Sequence, residues 1–271
     1  MPPTLRTEYY HPGYVRLLGW VSLTVGLGVV AAACVVLIGW QFELPLLKRV
    51  LQPGRVAVNP ATAVCFLLCG LALLLERPGS RRGRRVGVVL AGLVALLALL
   101  KLWSYDSGAS WSIDQLMYAQ RLAGSHMSPH VAATFLIAAA ALMSLDLSIR
   151  GRLWFSQLCA ILLGVSAILS VSDYLYNILL LSGWSTYFPL ALDAHLEFGL
   201  LCMGLLASRP LREPAATLVS TTAGGIMARR VLPAAFLIPL SFDLLRLQLV
   251  GQFGIEYDLS LFALISIVAL N

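Results

Sequence analysis

The sequence predicts an all-α integral membrane protein: an eight-transmembrane-helix bundle built from three repeated helical hairpins plus a terminal helix pair. Three observations predict it. The 271 residues are 59% hydrophobic and 12% charged, with mean hydropathy +0.84, more apolar surface than a soluble core of this size would bury. The apolar runs are unbroken and of bilayer-spanning length, without the period-two alternation of a barrel strand. Finally, one short pattern is written three times.

The first copy is Val58-Asn59-Pro60-Ala61-Thr62-Ala63-Val64-Cys65-Phe66-Leu67-Leu68, the second Met127-Ser128-Pro129-His130-Val131-Ala132-Ala133-Thr134-Phe135-Leu136-Ile137. The third, more diverged, is Leu190-Ala191-Leu192-Asp193-Ala194-His195-Leu196-Glu197-Phe198-Gly199-Leu200. Aligned on Phe66, Phe135 and Phe198, each has a short polar lead and then a long apolar run, at intervals of 69 and 63 residues. That interval holds two membrane helices and their loops, so the hairpin is the repeating unit.

In chain order the spans are expected at about 15–40, 59–76, 85–104, 128–147, 153–172, 190–208, 230–250 and 258–271. The repeats then cover about 15–76, 85–147 and 153–208, and helices over about 230–271 lead onward. Residues 1–14 are polar and aromatic with no cleavable signal pattern, so the first span stays in the protein. One set of flanks carries Arg6, Arg16, Arg77, the run Arg81-Arg82-Gly83-Arg84-Arg85, Arg150, Arg152, Arg209, Arg212, Arg229 and Arg230. The opposite set has only Lys48, Arg49, Arg55, Lys101 and Arg121. The positive-inside bias puts both termini in the cytoplasm. The net charge of +6 is therefore a topology signal and a contact for anionic membrane lipids, with no nucleic acid implied. Cys34, Cys65, Cys69, Cys159 and Cys202 fall inside apolar runs and read as small core residues.

The outer connections, 41–58, 105–127 and 173–189, mix aromatics, aliphatics and single acids, which suits segments lying along the interface or folding back as a lid. The last span has fourteen residues from Asp258 to Asn271, roughly 21 Å of helix against a hydrocarbon core of about 30 Å. A cytoplasmic output domain is expected to follow it.

The first repeat copy resembles the M-x-P-N-T-A-L-x-F-L-L element of a membrane-embedded input module found in bacterial sensor histidine kinases and some PAS- and GGDEF-containing signalling proteins. Thr222-Ala223-Gly224-Gly225-Ile226-Met227-Ala228-Arg229-Arg230-Val231-Leu232-Pro233 is similar to the S-A-G-G-x-x-A-R-R-L-L-P opening of that module's seventh span. Leu245-Arg246-Leu247-Gln248-Leu249-Val250-Gly251-Gln252 is similar to the later part of the same span. The resemblance covers essentially the whole chain. It implies a sensory input domain of a homodimeric histidine kinase, part of a two-component system, with the catalytic domains lying outside this chain. No phosphoacceptor helix, N-box or GGDEF signature is present, so no catalytic residue is expected here. In the polar slot, where the family often has Asn or His, this chain has Ala61, His130 and Asp193.

Candidate ligand-binding residues gather at the outer mouth: Asn59, Trp111, Asp114, His126, His130, Trp184, Asp193, His195 and Glu197. His126 and His130, four apart on one helix face, could join Asp193, His195 or Glu197 in a metal or haem site. The alternative is a hydrogen-bonded cluster of caps and interfacial groups, and no cofactor is assigned. Glu197 lies inside its span, where an ionisable group costs about 2.5–3.5 kcal/mol unless paired or neutral, so it should face the bundle interior. Asp243 and Arg246, three apart, with Arg229 and Arg230, are candidates for relaying a signal along the seventh span. The apolar outer loops suit a small apolar or amphipathic ligand such as a lipid or quinone. Two other readings are an accessory subunit of a larger membrane complex and a small-molecule transporter.

Overall fold

The structure is a computed structural model that describes residues 10–44, 47, 58–76, 80–107, 122, 125–146, 148–149, 153–176, 192–231 and 241, with side chains outside 148–154, 169–176 and 192–193. Proline and a polar residue start three of the described helices. Helix α1 (Pro12–Gln41) is capped by His11, whose Nδ1 accepts from the Gly13 amide. Helix α2 (Pro60–Leu75) is capped by Asn59 and α4 (Pro129–Met143) by Ser128, each with proline at the first helical position, where a missing N–H costs nothing. Helix α3 (Arg81–Asp106) is capped by Ser80. A two-residue antiparallel pair, β1 (Ser148–Ile149) with β2 (Leu153–Trp154), leads into α5 (Phe155–Tyr176). Helix α6 (Leu192–Ser208), the short α7 (Ala215–Val219) and a helical stretch over 223–231 come next.

The helices pair as three hairpins, α1 with α2, α3 with α4 and α5 with α6. The second helix of each is inner: α2, α4 and α6 touch one another. Each first helix sits between two inner ones, α1 against α2 and α6, α3 against α2 and α4, α5 against α4 and α6, which closes the ring. Phe66, Phe135 and Phe198, buried to 1% exposure or less, meet on the axis with ring centroids 4.7–4.8 Å apart in tilted and edge-on pairs. That geometry suits the ring quadrupoles and adds about 0.5–1.5 kcal/mol per pair beyond the area covered. The residues that align the three sequence copies are thus the residues that meet in space.

Small residues set the helix separations. Gly26 of α1 faces Gly70 of α2, and a Cβ on Gly26 would sit 2.8 Å from the Leu74 side chain. A Cβ on Gly204 of α6 would meet Val25 and Leu73 at 2.8 and 2.7 Å. Gly28 and Gly92 face nothing within 4 Å. The five cysteines are free thiols, with Cys65, Cys69 and Cys159 buried.

Among the described residues, helices α1 and α3 are the two long and apolar enough to cross a membrane, and only 28% of the most apolar stretch of each is buried inside the protein. The remainder faces outward: Trp20, Leu27, Val89, Leu96 and Trp103 are all more than half exposed. Helices α2 and α4 and the described apolar parts of α5 and α6 are shorter.

Several expectations change in detail. The spans drawn over 59–76 and 128–147 end at Leu75 and Met143; Glu76 and Asp146 lie beyond, in the turns that close α2 and α4, and are not part of the spans. Lys101, read as an outer flank, is 3% exposed, with its ammonium 4.6 Å above the Tyr105 ring. Trp40, at the end of the first expected span, is buried and donates its indole N–H to the Val58 carbonyl at 2.8 Å. The helical stretch 223–231 starts ahead of the seventh span expected at 230–250. Most of the outer connections, most of that span and all of the eighth lie outside the described residues.

Candidate functional site

Each inner helix begins at one end of the bundle, the mouth, and terminates at the other, the exit. At the mouth, Asn59 fills its hydrogen-bonding capacity locally. Its Oδ1 accepts from the Ala61 amide at 2.8 Å, and its Nδ2 donates to the Ser125 carbonyl at 3.0 Å. It caps α2 and ties it to the lead of α4, which is a structural use of a candidate ligand residue. His126 does not share a face with His130, because α4 starts at Pro129; its side chain is exposed in the extended lead.

His130 and His195 do come together. Their rings stack 6.0 Å apart at 12°, and His195 lies 6.4 Å from Phe198. The Nε2 of His130 is 3.3 Å from the Ser166 hydroxyl of α5, which is 3.4 Å from the Thr134 hydroxyl. Thr134 donates to the His130 carbonyl at 2.8 Å. Glu197, 7% exposed, is buried on the same helix as His195, which is 3% exposed. The mouth thus holds a polar row on top of the phenylalanine trio, drawn from α4, α5 and α6. Among the described residues no three His, Cys, Asp or Glu side chains are grouped to hold a metal ion, so the His126–His130–His195 ligand set does not form. Trp111, Asp114 and Trp184 lie outside the described residues, as does the side chain of Asp193.

The exit carries a denser polar cluster, centred on Asp146. Its carboxylate accepts from Arg209 Nε at 3.2 Å and pairs with Arg212 Nη2 at 2.7 Å and Arg84 Nε at 3.3 Å. Arg209 also donates to the Glu76 carbonyl at 3.0 Å, and Arg212 to the Leu145 carbonyl. Gln157 of α5 donates to the Arg209 carbonyl at 3.2 Å and accepts from the Ala215 amide at 3.1 Å. All three hairpins and the connector to α7 are joined at this one place. Burial would raise the Asp146 carboxyl, but the Arg209 hydrogen bond and the charges of Arg209, Arg212 and Arg84 outweigh it and hold it below its usual range.

Glu76 caps α2 with a side chain 2% exposed, and neither carboxylate oxygen has a hydrogen-bond partner. It lies against Gly87 of α3, where a Cβ would come within 2.7 Å of Oε1. Burial pushes its carboxyl up to about 7, with the Arg209 charge opposing. Sequence reasoning used Arg84, Arg209 and Arg212 for topology and lipid contact and passed over both acids. The signal was present: Glu76 lies ten residues after Phe66, and Asp146 and Arg209 eleven after Phe135 and Phe198.

Of the candidate relay residues, Arg229 is held and Arg230 is exposed. Arg229 donates to the carbonyls of Leu218 and Ser220, the latter at 2.9 Å, and its guanidinium lies 4.8 Å from the Tyr14 ring centre. His11 donates its amide to the Val219 carbonyl at 3.0 Å. The start of α1 and the stretch 223–231 are therefore joined through α7. Asp243 and Arg246 lie outside the described residues. No protein-family model matches the chain, and neither a curated protein nor a solved structure does.

Proposed function

We propose that this chain is the membrane-embedded sensory input domain of a bacterial signalling protein, with eight spans in the inner membrane and both termini cytoplasmic. A signal at the mouth shifts the packing of the inner helices; the segment beyond 223 passes the change to a cytoplasmic output, a histidine kinase acting as a homodimer. The observation that carries this reading is the meeting of Phe66, Phe135 and Phe198 on one axis. It supports the tandem hairpin repeat on which the resemblance to the sensor module rests. Membrane residence is supported by α1 and α3 and by the apolar side chains exposed around the ring.

The mechanism needs two packing states and a ligand with different affinity for each. A stacked pair of imidazoles with a buried carboxylate, resting on an aromatic plug, responds to a small amphipathic molecule such as a quinone or lipid through its polar head. The exit cluster gives the three inner helices a common mechanical end, and Arg229 joins the onward segment to it through α7.

The test is to purify the protein from its native membrane and to measure its mass and its autophosphorylation with ATP in nanodiscs, with and without quinone. A mass tens of kilodaltons above 29.3 kDa and a phosphohistidine whose level responds to Glu197→Gln are expected. A mass near that value without phosphorylation would sink the kinase reading. Solute flux in liposomes would then favour a transporter, and stoichiometric co-purifying chains an accessory subunit.

A further inference from the structure

We infer that the groove at the exit between the start of α3, the end of α4 and the start of α5 binds one anionic phospholipid, its phosphate against Arg84 and an acyl chain along Met143 and Phe155. The inference rests on the membrane residence proposed above. The groove has a volume of about 430 Å³ and is lined by Arg84, Ala140, Met143, Ser144, Asp146 and Phe155. Its chemistry is divided: Ala140, Met143 and Phe155 make an apolar strip, while charge is confined to one end.

That end is unbalanced. Among the described side chains, three guanidinium groups, from Arg84, Arg209 and Arg212, converge on the carboxylate of Asp146. Glu76 is buried and turned against Gly87, and its carboxylate oxygens make no hydrogen bond. Arg209 and Arg212 are 10% and 23% exposed, but Arg84 is 50% exposed and stands at the groove. Its neighbours Arg81, Arg82 and Arg85 are exposed on the same first turn. An anion at the groove would supply the missing negative charge. A phosphate with a hydrocarbon chain matches both the cationic end and the apolar strip, whereas a free phosphate would use only the first. The positive flank also faces the leaflet where anionic lipids attract basic segments.

The test is native mass spectrometry of the detergent-purified protein titrated with dioleoyl phosphatidylglycerol or dioleoyl phosphatidylcholine. One phosphatidylglycerol should be retained about fivefold more than phosphatidylcholine, the ratio expected for one added surface charge contact. Arg84→Ala should abolish the preference, Arg84→Lys should keep it, and Arg82→Ala, outside the groove, should leave it intact. Met143→Trp, which fills the groove without changing charge, should lose the lipid even if Arg84→Ala proves hard to produce. Equal retention of the two lipids, or a preference unchanged in Arg84→Ala and Met143→Trp, overturns the proposal. Displacement of the lipid by 10 mM inorganic phosphate overturns it too, marking a soluble-anion site. Alkaline carbonate extraction separates the two levels: release from membranes sinks membrane residence itself, while retention without lipid preference sinks only the groove.

Discussion

Glu76 and Asp146 sit in neighbouring turns and are driven in opposite directions. The Glu76 carboxyl is raised from 4.5 to about 7 by burial. Folding therefore takes up a proton between those values, and stability falls as pH rises through that window, by about 3 kcal/mol in all. Glu76→Gln carries no charge, so between pH 5 and 8 it should lack the fall in unfolding temperature that Glu76 imposes, and it should exceed the parent protein at pH 8. Parallel pH profiles for the two proteins would refute a buried, protonatable Glu76. Asp146 is held low by its arginines, so its contribution is present above the ordinary carboxylate range and disappears as pH falls below about 4. Asp146→Asn should cost about 2 kcal/mol at pH 7 in denaturant titrations, because three guanidinium groups lose their common partner.

Among the elements, the inner helices depend on their caps and their shared aromatic centre. Ser128→Ala removes one cap bond and should cost about 1 kcal/mol. Asn59→Ala should cost more, since it also breaks the 3.0 Å bond to the Ser125 carbonyl that joins two repeats. Thermal unfolding in one detergent would compare them, and equal losses would mean that the cross-repeat bond contributes nothing. Phe135→Ala opens a cavity between Phe66 and Phe198 and should cost about 3–5 kcal/mol. In lipid that loss is one of dispersion contacts and unfilled volume rather than of transfer from water.

For the whole molecule, the ring presents its apolar faces outward and its polar groups at two ends. Leu96, 52% exposed on α3, should lie against acyl chains. A nitroxide at position 96 in reconstituted protein should therefore be relaxed more strongly by oxygen than by a water-soluble nickel chelate. The reverse order would place this face in water and contradict a membrane-spanning ring.

The helical class and the six long helices, each to within four residues at either end, were legible in the sequence, because helix length, proline and N-cap chemistry and apolar run length act locally. Helix α3 begins four residues ahead of the expected 85, at Arg81, where Ser80 caps an arginine-rich first turn. The phenylalanine anchors were legible too, since a tandem repeat places equivalent residues on one axis. What only the tertiary structure decided is which polar residues meet. His126 and His130 share a sequence spacing but not a helix, whereas His130 and His195, 65 residues apart, stack. The exit cluster gathers Glu76, Arg84, Asp146, Gln157, Arg209 and Arg212 from segments spread over about half the chain. Spacing reports neighbours along one helix; partners between helices are chosen by how the hairpins pack, and in a low-dielectric interior a buried acid either finds a cationic partner there, as Asp146 does, or has its charged form disfavoured, as in Glu76.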